Sequence, residues 1–249
     1  MNTDVLLYIL QQHPVYSVDE PDEQQQMTRR ENKFLIGEKQ LPDILSSLLP
    51  HYRCLSINQH KLHHYKNIYF DTPDLLFFNQ HQNKDPKRKK VRIRQYTNSH
   101  SQFFEVKNKL KRGVSHKERL AISGDISSAL IQGKALLKVN NLDKLSLKPV
   151  LQIDYDRLCL WHTTTNERIT FDLNICFSTT KSKPTKCLEN QVIIEIKHHD
   201  RPHHSYAYQT LKRMEIRETA FSKYCIGTLF TNDTDIKYNN FKPLLLKAG

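Results

Sequence analysis

A run of alternating cationic side chains between positions 88 and 94 constrains the fold of this chain more than any other feature. Arg88, Lys90, Arg92 and Arg94 occupy every second position, and apolar residues stand at positions 91 and 93. In an extended strand alternate residues face the same side, so four positive charges share one face and apolar groups share the other. The apolar face predicts a core contact, and the cationic face predicts a strongly anionic partner.

The same alternation recurs along most of the strands that the sequence predicts. The further sets that share a polar face are Arg29, Glu31 and Lys33; Glu105, Lys107 and Lys109; Lys117 and Arg119; Tyr155 and Arg157; Arg168, Thr170 and Asp172; and Glu195 and Lys197. One amphipathic strand alone ordinarily turns such a face to water. When nearly all strands carry the pattern, we expect the charged faces to share an enclosed space that holds carboxylates and a polyanion. Arginine suits phosphate oxygens because its guanidinium binds them at two points.

Composition agrees with a polyanionic partner. The chain of 249 residues has 38 Lys+Arg against 26 Asp+Glu, a formal net charge of +12. This excess points to nucleic acid, a membrane surface, a nucleotide or a phosphate polymer. No apolar run is long enough for a transmembrane helix, and the N-terminus lacks the pattern of a signal peptide. Five scattered cysteines, none in a CxxC pair, predict reduced thiols in a cytoplasmic protein.

The order of predicted elements indicates an α+β protein with about eight strands, mostly joined as hairpins. Closure of these strands into an antiparallel barrel would remove exposed edges. We therefore expect an eight-stranded antiparallel β-barrel tunnel with flanking helices. A polar leader is predicted over residues 1–27, a single domain over 28–230 and a C-terminal tail over 231–249. The predicted strands are 27–36, 62–70, 87–96, 101–110, 113–122, 149–160, 167–177 and 191–198, and the predicted helices include 41–49, 125–138, 204–213 and 219–230.

Taken together, these motifs resemble the VTC-type polyphosphate polymerase domain of the CYTH, or triphosphate tunnel, superfamily. The resemblance runs from about Arg29 to Tyr224. Its pieces are Arg29-x-Glu31-x-Lys33, Ile68-Tyr69-Phe70-Asp71-Thr72, Lys90-x-Arg92-x-Arg94, Glu105-x-Lys107, Lys117-x-Arg119, Tyr155-x-Arg157, Arg168-x-Thr170-x-Asp172, Glu195-x-Lys197 and Ser222-Lys223-Tyr224. Each piece alone is weak, and the signal lies in their order and number.

The resemblance implies a barrel whose basic tunnel holds a phosphate chain, with a C-terminal helix that closes one end. It implies transfer of the γ-phosphate of ATP to a growing polyphosphate with Mn²⁺ or Mg²⁺. The implied catalytic residues are Arg92, Arg94, Lys107, Glu195 and Lys223. The implied contacts to phosphate or nucleotide are Lys33, Lys90, Lys117, Arg119, Tyr155, Arg157, Arg168 and Ser222, and the implied metal ligands are Glu195 and Glu31. Tyr155 corresponds to a position near the nucleotide base.

Two departures from the family pattern bear on the reaction. Arg29 stands where the hydrolase branch of the superfamily has a metal-binding glutamate, which favours the polymerase over a triphosphatase. Ala220 stands where characterised members have a lysine, so one contact at the closing helix is missing. The alternatives that stay open are an inorganic triphosphatase of the same fold and a non-catalytic module that binds polyphosphate or phosphoinositide. A nucleic-acid binder is disfavoured because the basic residues alternate with core residues instead of forming one outer patch. We expect ATP and polyphosphate as partners.

Overall fold

The structure, a computed structural model, describes residues 3–11, 13–17, 30–109, 115–162, 164–165, 167–179, 185–198, 204–232 and 238–242. The chain divides into two compact units. The described residues of unit 1 fall within Met1–His63, Tyr155–Ile175 and Leu188–Phe221. Those of unit 2 fall within His64–Asp154, Cys176–Cys187 and Ser222–Gly249. Arg29 and the start of the first predicted strand lie outside the described residues.

Eleven strands and seven helices form within the described ranges. The strands are β1 (Val15–Tyr16), β2 (Arg30–Gly37), β3 (Tyr52–Leu55), β4 (Leu62–Asp71), β5 (Lys89–Tyr96), β6 (Ser101–Lys109), β7 (Ser115–Ile122), β8 (Lys148–His162), β9 (Arg168–Ser178), β10 (Lys186–Cys187) and β11 (Gln191–His198). The helices are α1 (Thr3–Gln11), α2 (Leu41–Leu48), α3 (Leu76–Gln82), α4 (Ile126–Gln132), α5 (Lys134–Val139), α6 (Tyr206–Arg213) and α7 (Lys223–Thr231).

Unit 1 is built on strands in the order β2-β11-β9-β8, with β2, β11 and β9 paired antiparallel. Its buried core is formed by one face of these strands and the apolar sides of α2 and α6. Phe34, Ile44 and Phe171 in this core are each at most 2% exposed. Helix α2 begins with a proline in its first turn, and the Ser205 hydroxyl caps α6 by accepting from Tyr208 N at 2.9 Å. This packing leaves the alternate, charged residues of the strands on the opposite face.

Unit 2 is built on β4-β5-β6-β7, paired antiparallel throughout. Val91, Phe104 and Val106 are fully buried, as the alternation predicts. The predicted helix over 125–138 divides at Gly133, where a Cβ atom would come within 2.6 Å of the Phe104 ring. The close approach of this backbone to the sheet therefore requires glycine, and the sequence alone gave no sign of the contact.

The antiparallel sheet with flanking helices is confirmed, and the closed eight-stranded barrel is wrong for the described residues. They form eleven strands; β2 pairs only with β11, and β7 pairs only with β6. The three additional strands, β1, β3 and β10, have two to four residues, too few to show an alternation in the sequence. In unit 1 the edge of β2 is covered instead by an irregular segment, since Thr219 N donates to Lys33 O at 2.7 Å and Phe34 bridges Glu218.

The cysteines also depart from expectation. Cys176 and Cys187 form a disulfide, whereas Cys54, Cys159 and Cys225 are free and buried. The two bonded residues face each other across the β9–β10 ladder with their Cα atoms 4.0 Å apart. The prediction of five reduced thiols is therefore wrong for this pair, because the strand that aligns them was too short to be recognised. Among the described residues, no helix has the length and apolar content needed to cross a membrane.

Candidate functional site

The polar face of β5, β6 and β7 in unit 2 carries a dense set of cations, which we call the Glu105 cluster. Its members are Lys90, Arg92, Arg94, Glu105, Lys107, Lys117 and Arg119. The strand register arranges most of them in two rows across the sheet. One row is Lys90-Lys107-Lys117, and the next is Arg92-Glu105-Arg119. Like charges directly opposite each other destabilise a sheet, so the lysine row predicts an anion above it.

Glu105 is the central counter-ion of this cluster. Its side chain is 1% exposed, and one carboxylate oxygen accepts from Arg92 Nε at 2.6 Å and lies 2.5 Å from Arg92 Nη2. The other oxygen lies 3.3 Å from Lys117 Nζ, and the oxygen that faces Arg92 is 4.0 Å from Arg94 Nε. Burial raises the pKa of Glu105, but Arg92, Arg94 and Lys117 together hold it well below its usual range. Glu105 is therefore ionised, and a single carboxylate leaves six cations with a large positive excess.

Aromatic rings border the arginines of the cluster. Tyr69 on β4 accepts a hydrogen bond from Arg92 Nη1 at 3.0 Å. The Arg94 guanidinium lies 5.5 Å from the Tyr65 ring centre, and the Arg119 guanidinium lies 4.2 Å from that of Phe103. These contacts hold flat guanidinium groups in fixed orientations, which lowers the entropy lost when they bind an anion.

A buried hydroxyl–carboxylate contact ties α7 to β4 and α3. The Tyr224 hydroxyl donates to Asp71, which also accepts from the backbone N–H groups of Thr72, Phe77 and Phe78 at 2.8 to 3.0 Å. Burial raises the pKa of Asp71, and burial and then the Asp71 carboxylate raise the pKa of Tyr224. The Tyr-Phe-Asp-Thr and Ser-Lys-Tyr motifs are thus parts of one structural contact, because the Asp71 carboxylate accepts from the first turn of α3 and from Tyr224 of α7.

The N-terminus of α7 lies beside the lysine row. Ser222 caps the helix by accepting from Cys225 N at 3.3 Å, and it also accepts from Lys90 Nζ at 3.1 Å. Lys223 is the first helical residue and is half-buried. Free backbone N–H groups and the helix dipole make such a terminus attractive to anions. The structure therefore brings Ser222 and Lys223 to the same unit as the six cations.

Unit 1 carries a second charged group on β2 and β11, which we call the Glu195 cluster and define as Glu31, Lys33, Glu195 and Lys197. Lys33 faces Glu195 and Glu31 faces Lys197, so the two carboxylates lie on one diagonal. Glu195 is 3.5 Å from Lys33 Nζ and 3.0 Å from Lys197 Nζ. Unlike the Glu105 cluster, this group balances two acids with two bases.

The neighbouring strands of unit 1 hold the remaining predicted residues. Arg157 forms a buried two-point ion pair with Asp172, at 2.5 Å from Nε and 2.8 Å from Nη2. Its guanidinium also lies 5.2 Å from the centre of the Tyr155 ring. Arg168 Nε donates to the Cys159 thiol at 3.0 Å. Arg157 therefore already has a strong internal partner, which the spacing of the sequence did not reveal.

The Glu195 cluster fits a divalent ion only when a ligand completes the coordination. No group of three His, Cys, Asp or Glu side chains lies within metal-binding reach over the described ranges. One or two carboxylates together with phosphate oxygens are nevertheless a common Mg²⁺ site. Thr170, directly opposite Glu195 on β9, has a buried hydroxyl without a hydrogen-bond partner among the described residues. Glu195 and Glu31 are thus suitable donors for Mg²⁺ or Mn²⁺ on a phosphate ligand.

Arg88 and Lys89, just before and at the start of β5, have a structural role. Arg88 lies outside the strand, and its guanidinium donates to Asp85 O at 2.9 Å. Lys89 Nζ donates to Asn140 O at 2.5 Å. The alternating face therefore begins at Lys90. Arg88, the expected fourth cation, instead stabilises a turn by its hydrogen bond to Asp85.

The structure brings the predicted residues together in two sets, one in each unit. Unit 2 holds Lys90, Arg92, Arg94, Lys107, Lys117, Arg119, Ser222 and Lys223, and unit 1 holds Glu31, Lys33, Tyr155, Arg157, Arg168 and Glu195. That all of them line one cavity stays a prediction. The sequence left Glu105, Asp172 and Tyr69 without a role. A cross-strand register aligned from the hairpin turns would have placed Glu105 opposite Arg92.

A family model described as the VTC domain matches residues 28–232. A crystal structure of a candidate adenylate cyclase from Bacillus halodurans is 16% identical, with a TM-score of 0.51, over 79% of this chain and 96% of that chain. A candidate adenylyl cyclase from Hippeastrum, described as having a dominant triphosphatase activity, is 17% identical, with a TM-score of 0.47, over 83% and 97%. No protein with a curated description matches the chain significantly. At such identities the first structure shows a shared fold alone.

Proposed function

The chain belongs to the VTC domain family, and from this premise we propose that it is a polyphosphate polymerase. In this proposal it transfers the γ-phosphate of ATP to a growing polyphosphate chain in the presence of Mn²⁺ or Mg²⁺. The observation that carries the proposal is the row Lys90-Lys107-Lys117 beside Arg92-Glu105-Arg119, with one carboxylate among six cations. Such a surface is matched by a string of phosphates, which supplies closely spaced negative charges.

The Glu105 cluster is proposed to hold the triphosphate of ATP. Arg92 and Arg94 are 18% and 12% exposed, so their guanidinium groups keep some access to a ligand. Lys107 and Lys117 would neutralise the adjoining phosphates, with Lys90 and Ser222 at the N-terminus of α7. Lys223 would guide the donor or the product end of the chain. Glu105 orients Arg92 and Lys117 before the ligand arrives, which reduces the reorganisation that binding requires.

The protein takes little part in the covalent chemistry of phosphoryl transfer. The nucleophile is a terminal phosphate oxygen of the acceptor chain, which is ionised at neutral pH. It bonds to the γ-phosphorus as the bond from that phosphorus to the β–γ bridging oxygen breaks, and ADP leaves with the bridging oxygen. The protein's contribution is to align this oxygen with the γ-phosphorus and to neutralise charge on the oxygens in transfer. No serine, cysteine or histidine nucleophile is needed.

The residues of unit 1 are proposed to hold the metal and further phosphates. Glu195, with Glu31, would bind a divalent ion that neutralises phosphate oxygens. Lys33 and Arg168 would contact phosphate, and Tyr155 would lie near the nucleotide base. Arg157 is included among the phosphate contacts, although its pairing with Asp172 gives it a structural role as well. Because ATP and Mg²⁺ are abundant there, we propose that the protein works in the cytoplasm.

Two other functions use the same surfaces. An inorganic triphosphatase would bind the same phosphates and pass the γ-phosphate to water. A non-catalytic module would bind polyphosphate or phosphoinositide without turnover. Arg29, the residue that favours the polymerase over the hydrolase, lies outside the described residues. The products of the reaction therefore have to distinguish the polymerase from the triphosphatase.

The deciding experiment is incubation of the purified protein with ATP and MnCl₂, with two readouts from each sample. Polymer is detected by gel electrophoresis, and orthophosphate is measured in parallel. Polymer in excess of orthophosphate supports the polymerase, and orthophosphate without polymer supports the triphosphatase. Binding of polyphosphate with neither product supports the non-catalytic module.

A further inference from the structure

Tyr69 is a buried phenol at the Glu105 cluster to which the family resemblance assigns no role. Its side chain is 5% exposed, and its hydroxyl accepts from Arg92 Nη1 at 3.0 Å. The strand register places it directly opposite Arg92, while Asn67 occupies the same position relative to Arg94. The two arginines are therefore held differently, Arg92 by a group that can ionise and Arg94 by an amide.

The position of the Tyr69 ring is fixed by α7. Tyr69 stacks on Tyr224 with ring centres 5.0 Å apart and planes 21° apart. Tyr224 is itself anchored, because its hydroxyl donates to Asp71. With the ring clamped on one side and Arg92 bound on the other, the Tyr69 oxygen stays at the cluster whether or not it carries its proton.

Charges around Tyr69 favour its anion. Lys90, Arg92 and Arg94 approach from β5, Glu105 lies behind Arg92 on β6, and the neutral Tyr224 packs from α7. Burial opposes ionisation, yet Arg92, Lys90 and Arg94 lower the pKa of Tyr69 to about 8. A phenolate in this position would be a second negative charge among the six cations.

We propose that Tyr69 is a positioning residue that orients Arg92 while neutral and competes with phosphate for Arg92 once it has lost its proton. This inference rests on the proposed function of the Glu105 cluster. Arg92 has five N–H donors, of which Nε and Nη2 serve Glu105 and Nη1 serves Tyr69. A neutral Tyr69 accepts from Arg92 and keeps its own proton to donate to a phosphate oxygen. The phenolate offers that oxygen no donor and repels it.

The test is the affinity for tripolyphosphate, measured by calorimetry at a series of pH values on both sides of 8. Three proteins are compared: the wild type, Tyr69→Phe and the matched control Tyr224→Phe. The control keeps the ring stack and removes the hydroxyl that faces Asp71. Protonation of tripolyphosphate itself is common to all three proteins. All three also keep Tyr96, whose pKa is raised by burial but lowered overall, mainly by Arg94.

In the wild type and in Tyr224→Phe, affinity should fall above pH 8, by up to about tenfold for each pH unit. In Tyr69→Phe this fall should be smaller, because only the pH dependence common to all three proteins remains. A fall in Tyr69→Phe parallel to that of the wild type overturns the inference and leaves the proposed function standing. Absence of tripolyphosphate binding by the wild type at every pH overturns the proposed function, and the inference with it.

A second measurement tests the inference if Tyr69→Phe fails to fold. The ultraviolet absorbance of tyrosinate is followed during a pH titration of Tyr96→Phe, in which Tyr69 should be the first phenol to ionise. Tripolyphosphate should shift this first ionisation to higher pH, because the bound anion disfavours the phenolate. A first ionisation unmoved by the ligand contradicts competition at Arg92.

Discussion

Arg157 and Asp172 form a two-point ion pair in unit 1, with Nε 2.5 Å from one carboxylate oxygen and Nη2 2.8 Å from the other. Arg157 is 7% exposed and Asp172 is not exposed. A pair so deeply buried is weak evidence for net stability, because both charges have left water. Removal of one member, by contrast, leaves an uncompensated buried charge.

Arg157→Ala should therefore destabilise the fold by about 3 to 5 kcal/mol, and Asp172→Ala by a similar amount. The double variant Arg157→Ala with Asp172→Ala should lose much less than the sum of the two single losses, since it buries no charge. Urea unfolding measures all four proteins. Additive losses would show that the two side chains do not interact. Activity lost in Arg157→Ala alone cannot then be assigned to phosphate binding.

Arg94→Ala should reduce polyphosphate synthesis by about 100- to 1,000-fold, the usual effect of removing one preorganised charged donor. The fold should persist, because Glu105 keeps Arg92 and Lys117 as partners. Arg53→Ala, which removes one exposed arginine from β3, is the charge-matched control and should keep full activity. Polymer yield at the wild-type level in Arg94→Ala would remove this residue from the site.

Glu195→Gln should abolish metal-dependent turnover and leave polyphosphate binding intact. The amide keeps the shape of the side chain and loses the charge that a divalent ion requires. Glu189→Gln, an exposed residue just before β11, provides the control. Turnover is assayed over a range of MnCl₂ concentrations, and binding is measured without metal. An unchanged metal dependence in Glu195→Gln would contradict its assignment as a ligand.

Tyr69→Phe should also remove a contribution to stability that depends on pH. The folded-state pKa of Tyr69 is about 8, and an unfolded tyrosine has a value of about 10. Below pH 8 both states keep the proton, so the two proteins should show no pH-dependent difference. As pH rises further, the folded wild type loses its proton first, and its free energy of unfolding should grow relative to the variant by up to about 2 to 3 kcal/mol near pH 10. Parallel curves from urea unfolding would refute the lowered pKa.

The Cys176–Cys187 disulfide should contribute to stability under oxidising conditions. It closes a short loop with a sequence separation of 11 residues, for which loss of chain entropy in the unfolded state predicts about 3 kcal/mol. The double variant Cys176→Ser with Cys187→Ser should lose this amount, and a reducing agent should have the same effect on the wild type. If the reducing agent leaves the wild-type unfolding midpoint unchanged, the bond contributes nothing.

The strands of the polar and apolar faces could be predicted because a period of two is visible in one sequence. The prediction for β11, residues 191–198, has the observed bounds, and Val91, Phe104 and Ile194 are buried as expected. What alternation cannot show is the partner of each charged residue. Arg92 and Arg157 look alike in the sequence, yet Arg92 shares its carboxylate, Glu105, with Lys117 in a cationic cluster, whereas Arg157 forms a buried pair with Asp172.

Other features depend on contacts between distant parts of the chain. The division of a predicted helix at Gly133 follows from the Phe104 ring, and the β10 strand follows from its pairing with β9. The role of Asp71 depends on Tyr224, which lies 153 positions away. Local sequence propensity does not indicate such pairs, so only the three-dimensional arrangement reveals them.

The bond between Tyr224 and Asp71 also bears on how the protein is made. Unit 2 begins at His64 but takes α7 from Ser222 onward, after the whole of the last segment of unit 1. On a ribosome, therefore, β4 to β7 emerge long before the helix that completes their unit. In a nascent chain stalled before residue 222, Asp71 would lack its hydroxyl donor. A chaperone could still bind the incomplete unit 2 at that stage.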